Sequence, residues 1–171
     1  ASSTEETAQK GTLVVKVADM DNTVSFSVFV LSFRGTANTG DWLVNLGITP
    51  NKMEFDELAI DVQACWAAMV FDNLRISEMN AAIVEETPDN VIFCGHSLGG
   101  ALAQIAALKA YQEAQRDPAL RPLLSRMRCI TLASPQPFRP RKARTDTQDN
   151  AIHWLATNCL NYVNNRDLVP R

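Results

Sequence analysis

The chain has 171 residues, of which 46% are hydrophobic and 20% are charged, and its formal net charge is −3. This length and composition are typical of a globular domain with its own core, and the acidic balance argues against a nucleic-acid partner, which would need a basic surface. No run of residues is long and apolar enough for a transmembrane helix. The length predicts a single domain over residues 1–171, in which residues 1–10 form a disordered lead-in.

The four cysteines and two histidines show no metal-binding pattern. Each cysteine stands singly among apolar residues, which is typical of buried thiols rather than of a disulfide framework. No histidine lies at a metal-ligand spacing from a cysteine or a carboxylate. We therefore expect no metal and no organic cofactor. No secretory signal is visible, and because the chain begins at Ala1 rather than at a methionine, secreted and cytoplasmic locations both stay open.

The predicted elements alternate between strands and helices along the chain. Two strands are predicted over residues 13–17 and 24–33, and apolar residues at helical spacing then predict one long helix over residues 55–73. Residues 74–86 either continue that helix or form a second segment. Later elements are a strand from residue 91, a helix to about residue 115, a strand over 127–133, a loop over 134–150, a helix over 151–157 and a strand over 159–163. This order favours an α/β fold of the α/β-hydrolase type, a mostly parallel sheet flanked by helices on both faces.

Residues 91–103 carry the pattern glycine-x-serine-x-glycine, with Ser97 at its centre. An apolar strand precedes the pattern and a helix of small residues follows it, which is the context of a nucleophile elbow. The sharp turn would strain the backbone of Ser97 and expose its hydroxyl, while Gly95 and Gly99 avoid collisions across the turn. The N–H of Leu98 then lies in a usual oxyanion-donor position. The competing interpretation is a glycine-rich turn with a capping serine, and the strand and helix on its two sides favour the elbow.

The string over residues 95–103 resembles the nucleophile motif of the class 3 (fungal-type) lipases. Residues 33–36, followed by 41–43 and Asn45, are similar to that family's oxyanion loop and the start of its lid. Residues 163–170 are similar to the segment that carries its catalytic aspartate. The three matches follow the family order, and the resemblance covers roughly residues 12–171.

The resemblance implies a serine ester hydrolase that acts on lipid carboxylic esters through an acyl-enzyme on Ser97. Thr36, which by itself reads as an ordinary turn threonine, becomes the second oxyanion donor beside Leu98, and Asp167 orients the catalytic histidine. Trp42 and Leu43 either begin an apolar lid that contacts a lipid interface transiently, or Trp42 is a buried anchor. An acyltransferase or thioesterase with the same elbow is the rival among enzymes.

The general base is the missing part of this assignment. The order serine, aspartate, histidine requires a histidine after Asp167, and residues 168–171 contain none. His96 adjoins Ser97 and is expected to pack beside the sheet, and His153 precedes Asp167. Three explanations stay open: a C-terminally incomplete chain whose base lies beyond Arg171, which we favour; a catalytically silent lipase-like binding module; or recruitment of His153 as the base.

Overall fold

The structure of the protein, a computed structural model, describes residues 10–18, 25–35, 50–51, 55–58, 60–73, 76–140 and 145–163. Its strands are β1 (Lys10–Ala18), β2 (Ser25–Phe33), β3 (Pro50–Asn51), β4 (Ile60–Gln63), β5 (Asn90–His96), β6 (Met127–Leu132), β7 (Phe138–Pro140) and β8 (Cys159–Tyr162). Its α-helices are α1 (Ala64–Asn73), α2 (Ile76–Glu86), α3 (Leu98–Arg116) and α4 (Asp146–Asn158), and short 3₁₀ helices cover Asp56–Leu58 and Arg121–Ser125.

The main sheet is mostly parallel, which confirms the predicted fold class. Its strands lie in the order β1, β2, β5, β6, β8. Neighbouring strands are parallel along the series β2, β5, β6, β8, and β1 is antiparallel to β2. A small antiparallel sheet in the order β3, β4, β7 stands apart from it. The architecture is that of an α/β-hydrolase-type domain.

The described helices α3 and α4 pack on one face of this sheet. The side chains buried under α3 are alternate residues of β2, β5 and β6, including Leu31, Phe93 and Cys129. Tyr111 of α3 and Trp154 of α4 stack with ring centroids 4.8 Å apart, so the two helices lie on the same side. The parallel strands are added in one direction along the sheet, and right-handed connections then place their helices on the same face. The helices α3 and α4 therefore cover the same face of the sheet, and these two described helices do not support the prediction of helices on both faces.

The helix α3 lies at the centre of the core, and eight of its nineteen residues are glycine or alanine. Six of its alanines are at least nine-tenths buried, namely Ala101, Ala103, Ala106, Ala107, Ala110 and Ala114. Small side chains let a helix backbone approach the sheet closely, and α1 also packs against α3. The first turn of α3, which follows Ser97, is thus held firmly against β5 and β6.

The prediction of one helix over residues 55–73 is wrong for residues 60–63, which form β4. Ile60 and Val62 are fully buried and pair with Pro140 and Phe138 of β7. That pairing joins positions far apart in the chain, so local periodicity does not reveal it. Residues 76–86 form the helix α2, and residues 74–75, which join it to α1 in the chain, lie outside the described residues.

The helix α4 begins at Asp146, before the predicted start at residue 151. The carbonyl oxygen of the Gln148 side chain accepts a hydrogen bond from the backbone N–H of Thr145 at 2.8 Å, as in a capping box. The threonine and the glutamine three positions later are the sequence signal that would have placed this start. At the other end of the chain, Lys10 already belongs to β1, and the rest of the expected lead-in lies outside the described residues.

Candidate active site

Ser97 lies between the end of β5 and the start of α3, and its backbone is strained. It adopts φ 55° and ψ −127°, a left-handed φ that a residue with a Cβ rarely takes. Its N–H donates to the carbonyl oxygen of Leu132 at 2.9 Å, and its own carbonyl oxygen accepts from the N–H of Gly100 at 2.9 Å. These bonds hold the strained turn on both sides, and the backbone is the one that a nucleophile elbow requires.

Gly95 and Gly99 are required by close backbone approaches on two sides of this turn. A Cβ on Gly95 would lie 2.7 Å from the nitrogen of Gly100 and closer still to the carbonyl group of Gly99. A Cβ on Gly99 would lie 2.8 Å from the nitrogen of Gly35 and closer still to the carbonyl oxygen of Phe33. Side chains do not fit at such separations. The strand, the helix and the chain that leaves β2 therefore meet here without intervening side chains.

The chain that leaves β2 passes against the elbow. A Cβ built on Gly35 would lie 3.8 Å from the Cβ of Ser97. Leu98 is the first residue of α3, and backbone N–H groups in the first turn of a helix have no partner within the helix and favour negative charge nearby. Ser97 and Leu98 are thus adjacent to the segment that leads into the predicted oxyanion loop.

The strand β8, which runs toward Asp167, ends at the same edge of the sheet as Ser97. In the register of the parallel strands, Leu132 of β6 lies between His96 of β5 and Tyr162 of β8. The carboxyl ends of these strands therefore lie side by side, and α/β folds place their ligands at this edge.

Four of the predicted site residues lie outside the described part of the chain, namely Thr36, Trp42, Leu43 and Asp167. Their roles as oxyanion donor, lid residues and orienting acid stay predictions. The structure thus brings together Ser97, Leu98 and the two strand ends from which the oxyanion loop and the acid loop continue.

The geometry does not place His96 or His153 as a base for Ser97. His96 is exposed, so the expectation that it packs beside the sheet is wrong. By the alternation of β5 its side chain belongs to the sheet face that α3 does not cover. His153 is exposed in the middle of α4, and the C-terminal end of that helix leads into the amino end of β8. This is the edge of the sheet opposite to Ser97.

Cys94, Cys129 and Cys159 are free thiols, and Cys129 is not an alternative nucleophile. Cys129 is fully buried on β6, beside Cys159 of β8. A hydrogen bond with Cys159 and burial of the side chain raise the pKa of the Cys129 thiol far above its ordinary value. The thiol is therefore neutral at physiological pH, and thiols in this state are inert. Cys129 matches the buried-thiol interpretation of the sequence.

The residues that the structure describes hold neither a metal-binding cluster nor a membrane-spanning helix. They contain no group of three histidine, cysteine, aspartate or glutamate side chains that would hold a metal ion. Among these residues, no helix combines the length and the apolar character that crossing a membrane requires.

The corner that follows β6 contacts the elbow, and no sequence pattern predicted it. Ala133 has a φ of 49°, again in the left-handed region. The residue before it, Leu132, accepts the hydrogen bond from Ser97, and the residue after it, Ser134, is fully buried. Neither a motif nor a composition bias marks this corner, because its partners come from β8 and α3.

Comparison with known proteins identifies a family and a shared fold. The family model described as lipase (class 3) matches residues 30–171. The Rhizomucor miehei triacylglyceride lipase is similar over 93% of this chain and 60% of its own, at 20% identity and a TM-score of 0.63. The lipase from Rhizopus microsporus var. chinensis is similar over 94% of this chain and 55% of its own, at 17% identity and a TM-score of 0.64.

A third solved structure is a triacylglycerol lipase whose catalytic centre is described as a serine protease triad. It is similar over 84% of this chain and 50% of its own, at 23% identity and a TM-score of 0.64. The chain thus spans 50–60% of the length of these three structures. At these identities the structures show a common fold.

Proposed function

The chain belongs to the class 3 lipase family, and from that premise we propose that it is a serine ester hydrolase whose nucleophile is Ser97 and whose substrates are lipid carboxylic esters. The observation that carries the proposal is the strained, doubly anchored backbone of Ser97, at the carboxyl edge of the sheet and the N-terminus of α3. Strain of this kind is retained where it positions a reacting group.

In the proposed reaction the hydroxyl oxygen of Ser97 attacks the ester carbonyl carbon, and a histidine base takes the hydroxyl proton. The tetrahedral intermediate collapses, its alcohol leaves with that proton, and water then hydrolyses the acyl-enzyme to the free acid and Ser97. The N–H groups of Leu98 and Thr36 stabilise the oxyanion, and each such donor is typically worth about 3 kcal/mol. This reaction needs no metal and no organic cofactor.

The acid of the proposed triad is Asp167, which orients the histidine. Asp167 follows β8 in the chain. The end of β8 pairs with the end of β6, and β6 separates it from β5, the strand that Ser97 follows. The neighbouring lipase described by a serine protease triad supports this assignment by its shared fold. His96 and His153 are the two histidines of the chain, and neither is placed for proton transfer. The proposed base is therefore a histidine outside these 171 residues.

The proposed substrates are acylglycerols or phospholipids, with transient contact to a lipid interface. Trp42 and Leu43 would begin the lid, covering Ser97 in water and turning toward lipid at an interface. The triacylglyceride lipase among the structural neighbours supports this substrate class. The second candidate function is a catalytically silent lipase-like module that binds a lipid, and the placement of His96 and His153 is the observation that favours it.

The test is hydrolysis of p-nitrophenyl butyrate by the 171-residue chain and its Ser97→Ala variant, each with and without added imidazole. Imidazole in solution is itself a base, so it takes the hydroxyl proton of Ser97 when no histidine of the chain is positioned to do so. The Ser97→Ala variant measures the hydrolysis caused by imidazole alone. Ser125→Ala is the matched control, because Ser125 is exposed on a 3₁₀ helix away from the elbow.

We expect imidazole to produce hydrolysis that depends on Ser97 and that Ser125→Ala retains. Hydrolysis that depends on Ser97 without imidazole would also support the proposal, and His153→Ala would then test the remaining base. Folded chains whose rates never differ from that of Ser97→Ala would overturn the proposal in favour of the silent module.

A further inference from the structure

The side-chain amide of Asn161 on β8 ties two strands together at the corner beside the elbow. Its Nδ2–H donates to the carbonyl oxygen of Ser134 at 2.7 Å, and its Oδ1 accepts from the N–H of Ser134 at 3.1 Å. The hydroxyl of Thr131 donates to the same Oδ1 at 3.0 Å. Thr131 is 1% exposed and Ser134 is 0% exposed, so the exposed strand β8 directs one polar group toward buried partners.

The corner that Asn161 holds is strained and has a second attachment to β8. Ala133 adopts a φ of 49°, which an alanine keeps only where its surroundings determine it. The N–H of Ala133 donates to the carbonyl oxygen of Tyr162 at 2.8 Å. The hydrogen bonds between Asn161 and Ser134 hold the corner on the other side of Ala133. The strand β8 is therefore bonded to two successive residues of the corner, Ala133 and Ser134.

The same corner contacts the elbow at two points. Before Ala133, the carbonyl oxygen of Leu132 accepts the N–H of Ser97 at 2.9 Å. After Ala133, the Cβ of Ser134 lies 2.6 Å from the place that a Cβ on Gly100 would occupy, so Ser134 packs on the first turn of α3. A shift of the corner therefore moves the bond partner of Ser97 and the support of the helix that follows it.

A buried amide on α3 holds the corner from the side of the helix. The Nε2–H of Gln104 donates to the hydroxyl oxygen of Ser134 at 2.8 Å, and that hydroxyl donates to the carbonyl oxygen of Pro135 at 3.0 Å. Gln104 is itself buried. Ser134 is thus fixed by hydrogen bonds from both β8 and α3, and Asn161 supplies those from β8.

We propose that Asn161 is a positioning residue for the nucleophile: through the corner at Ala133 and Ser134 it sets the place of Ser97 relative to β8 and the acid loop that follows this strand. The effect on catalysis rests on the proposed function, whereas the effect on the elbow does not. Asn161 touches neither substrate nor reacting atoms in this proposal, and it acts through the backbone of residues 132–134.

The experiment compares Asn161→Ala with Asn158→Ala. The amide of Asn158 also makes two hydrogen bonds, from Arg128 and to the carbonyl oxygen of Trp154, each at 2.9 Å, but at the opposite end of β8. Thr131→Val is a milder second variant, since it removes one hydrogen bond to Asn161 and keeps the shape of the side chain. The readouts are kcat and KM for p-nitrophenyl butyrate hydrolysis in imidazole, and NMR hydrogen exchange of the Ser97 and Ala133 amides.

We expect Asn161→Ala to lower kcat about 10-fold with KM nearly unchanged, and to speed exchange of both amides by a similar factor, since two hydrogen bonds to the corner are lost. Thr131→Val should show the same changes at smaller size. Asn158→Ala should leave kcat and both amides close to wild type, even if its melting temperature falls as far.

Equal exchange at Ser97 and Ala133 in the Asn161 and Asn158 variants would overturn the proposal, as would a loss confined to KM. If Asn161→Ala does not fold, Thr131→Val provides the test. Exchange rates equal to wild type at the Ser97 and Ala133 amides of Thr131→Val would then overturn the proposal. A wild-type chain without hydrolysis that depends on Ser97 overturns the proposed function alone, because the exchange measurement still decides whether Asn161 positions the elbow.

Discussion

Replacing Gly99 by alanine should destabilise the protein severely, because the added methyl group meets backbone rather than flexible side chains. Its Cβ would lie 2.8 Å from both the carbonyl carbon of Arg34 and the nitrogen of Gly35, and closer still to the carbonyl oxygen of Phe33. These atoms belong to the end of β2 and the chain after it, so relief requires α3 to move away from the sheet.

The magnitude follows from the rigidity of these neighbours. Overpacking a core typically costs 1–3 kcal/mol, and contacts with backbone belong at the upper end, about 3 kcal/mol. For a domain of this size each kcal/mol lowers the melting temperature by about 2–4 °C, so we expect a fall of about 6–12 °C. Gly99→Val should fail to fold, since its branches meet the same backbone.

The assay is thermal unfolding followed by circular dichroism, with Ala81→Val as the control. Ala81 is exposed on α2, and the substitution there should cost only about 0.5 kcal/mol of helix propensity. A Gly99→Ala protein that melts within about 2 °C of wild type would refute the reasoning, because the elbow would then have room for a side chain.

Two further predictions concern the surface of the fold. The Asp89 carboxylate accepts hydrogen bonds from the backbone N–H and the hydroxyl of Ser27, and these bonds lower its pKa below the ordinary value of 3.8. The stability that they add is present above that value and is lost as the pH falls through the lowered pKa. In urea unfolding, the stability advantage of wild type over Asp89→Asn should therefore vanish in acid. Gln148→Ala should remove the cap on the N–H of Thr145 and cost about 1 kcal/mol in the same assay, while Asn150→Ala on the exposed side of α4 should cost little. A difference at Asp89 that is independent of pH, or equal losses at Gln148 and Asn150, would contradict these predictions.

The elbow was predictable from the sequence because its determinants are local. The glycines flank Ser97 within a few positions, and the apolar strand and the small-residue helix adjoin them. Each of these preferences is a matter of sterics among neighbours, so the pattern predicts the strained turn that the structure shows. The parallel sheet was predictable for a related reason, since alternating strands and helices leave few ways to connect.

The strand β4 was not predictable in the same way. Val62 fits the helical spacing of its apolar neighbours, and only the pairing of Ile60 and Val62 with Pro140 and Phe138 of β7 makes this segment a strand. The same limit applies to His96, whose exposure depends on which sheet face α3 covers. Periodicity reports which residues are apolar, whereas the partner that buries them is chosen in three dimensions.

The sequence by itself therefore determined the nucleophile turn and the class of fold. Only the tertiary structure decided what supports that turn, because Ser134 and Asn161 are separated by 27 positions along the chain. A hydrogen bond between such residues depends on the register of β6 and β8, which no local pattern encodes. Local sterics shape the elbow, and long-range register places it.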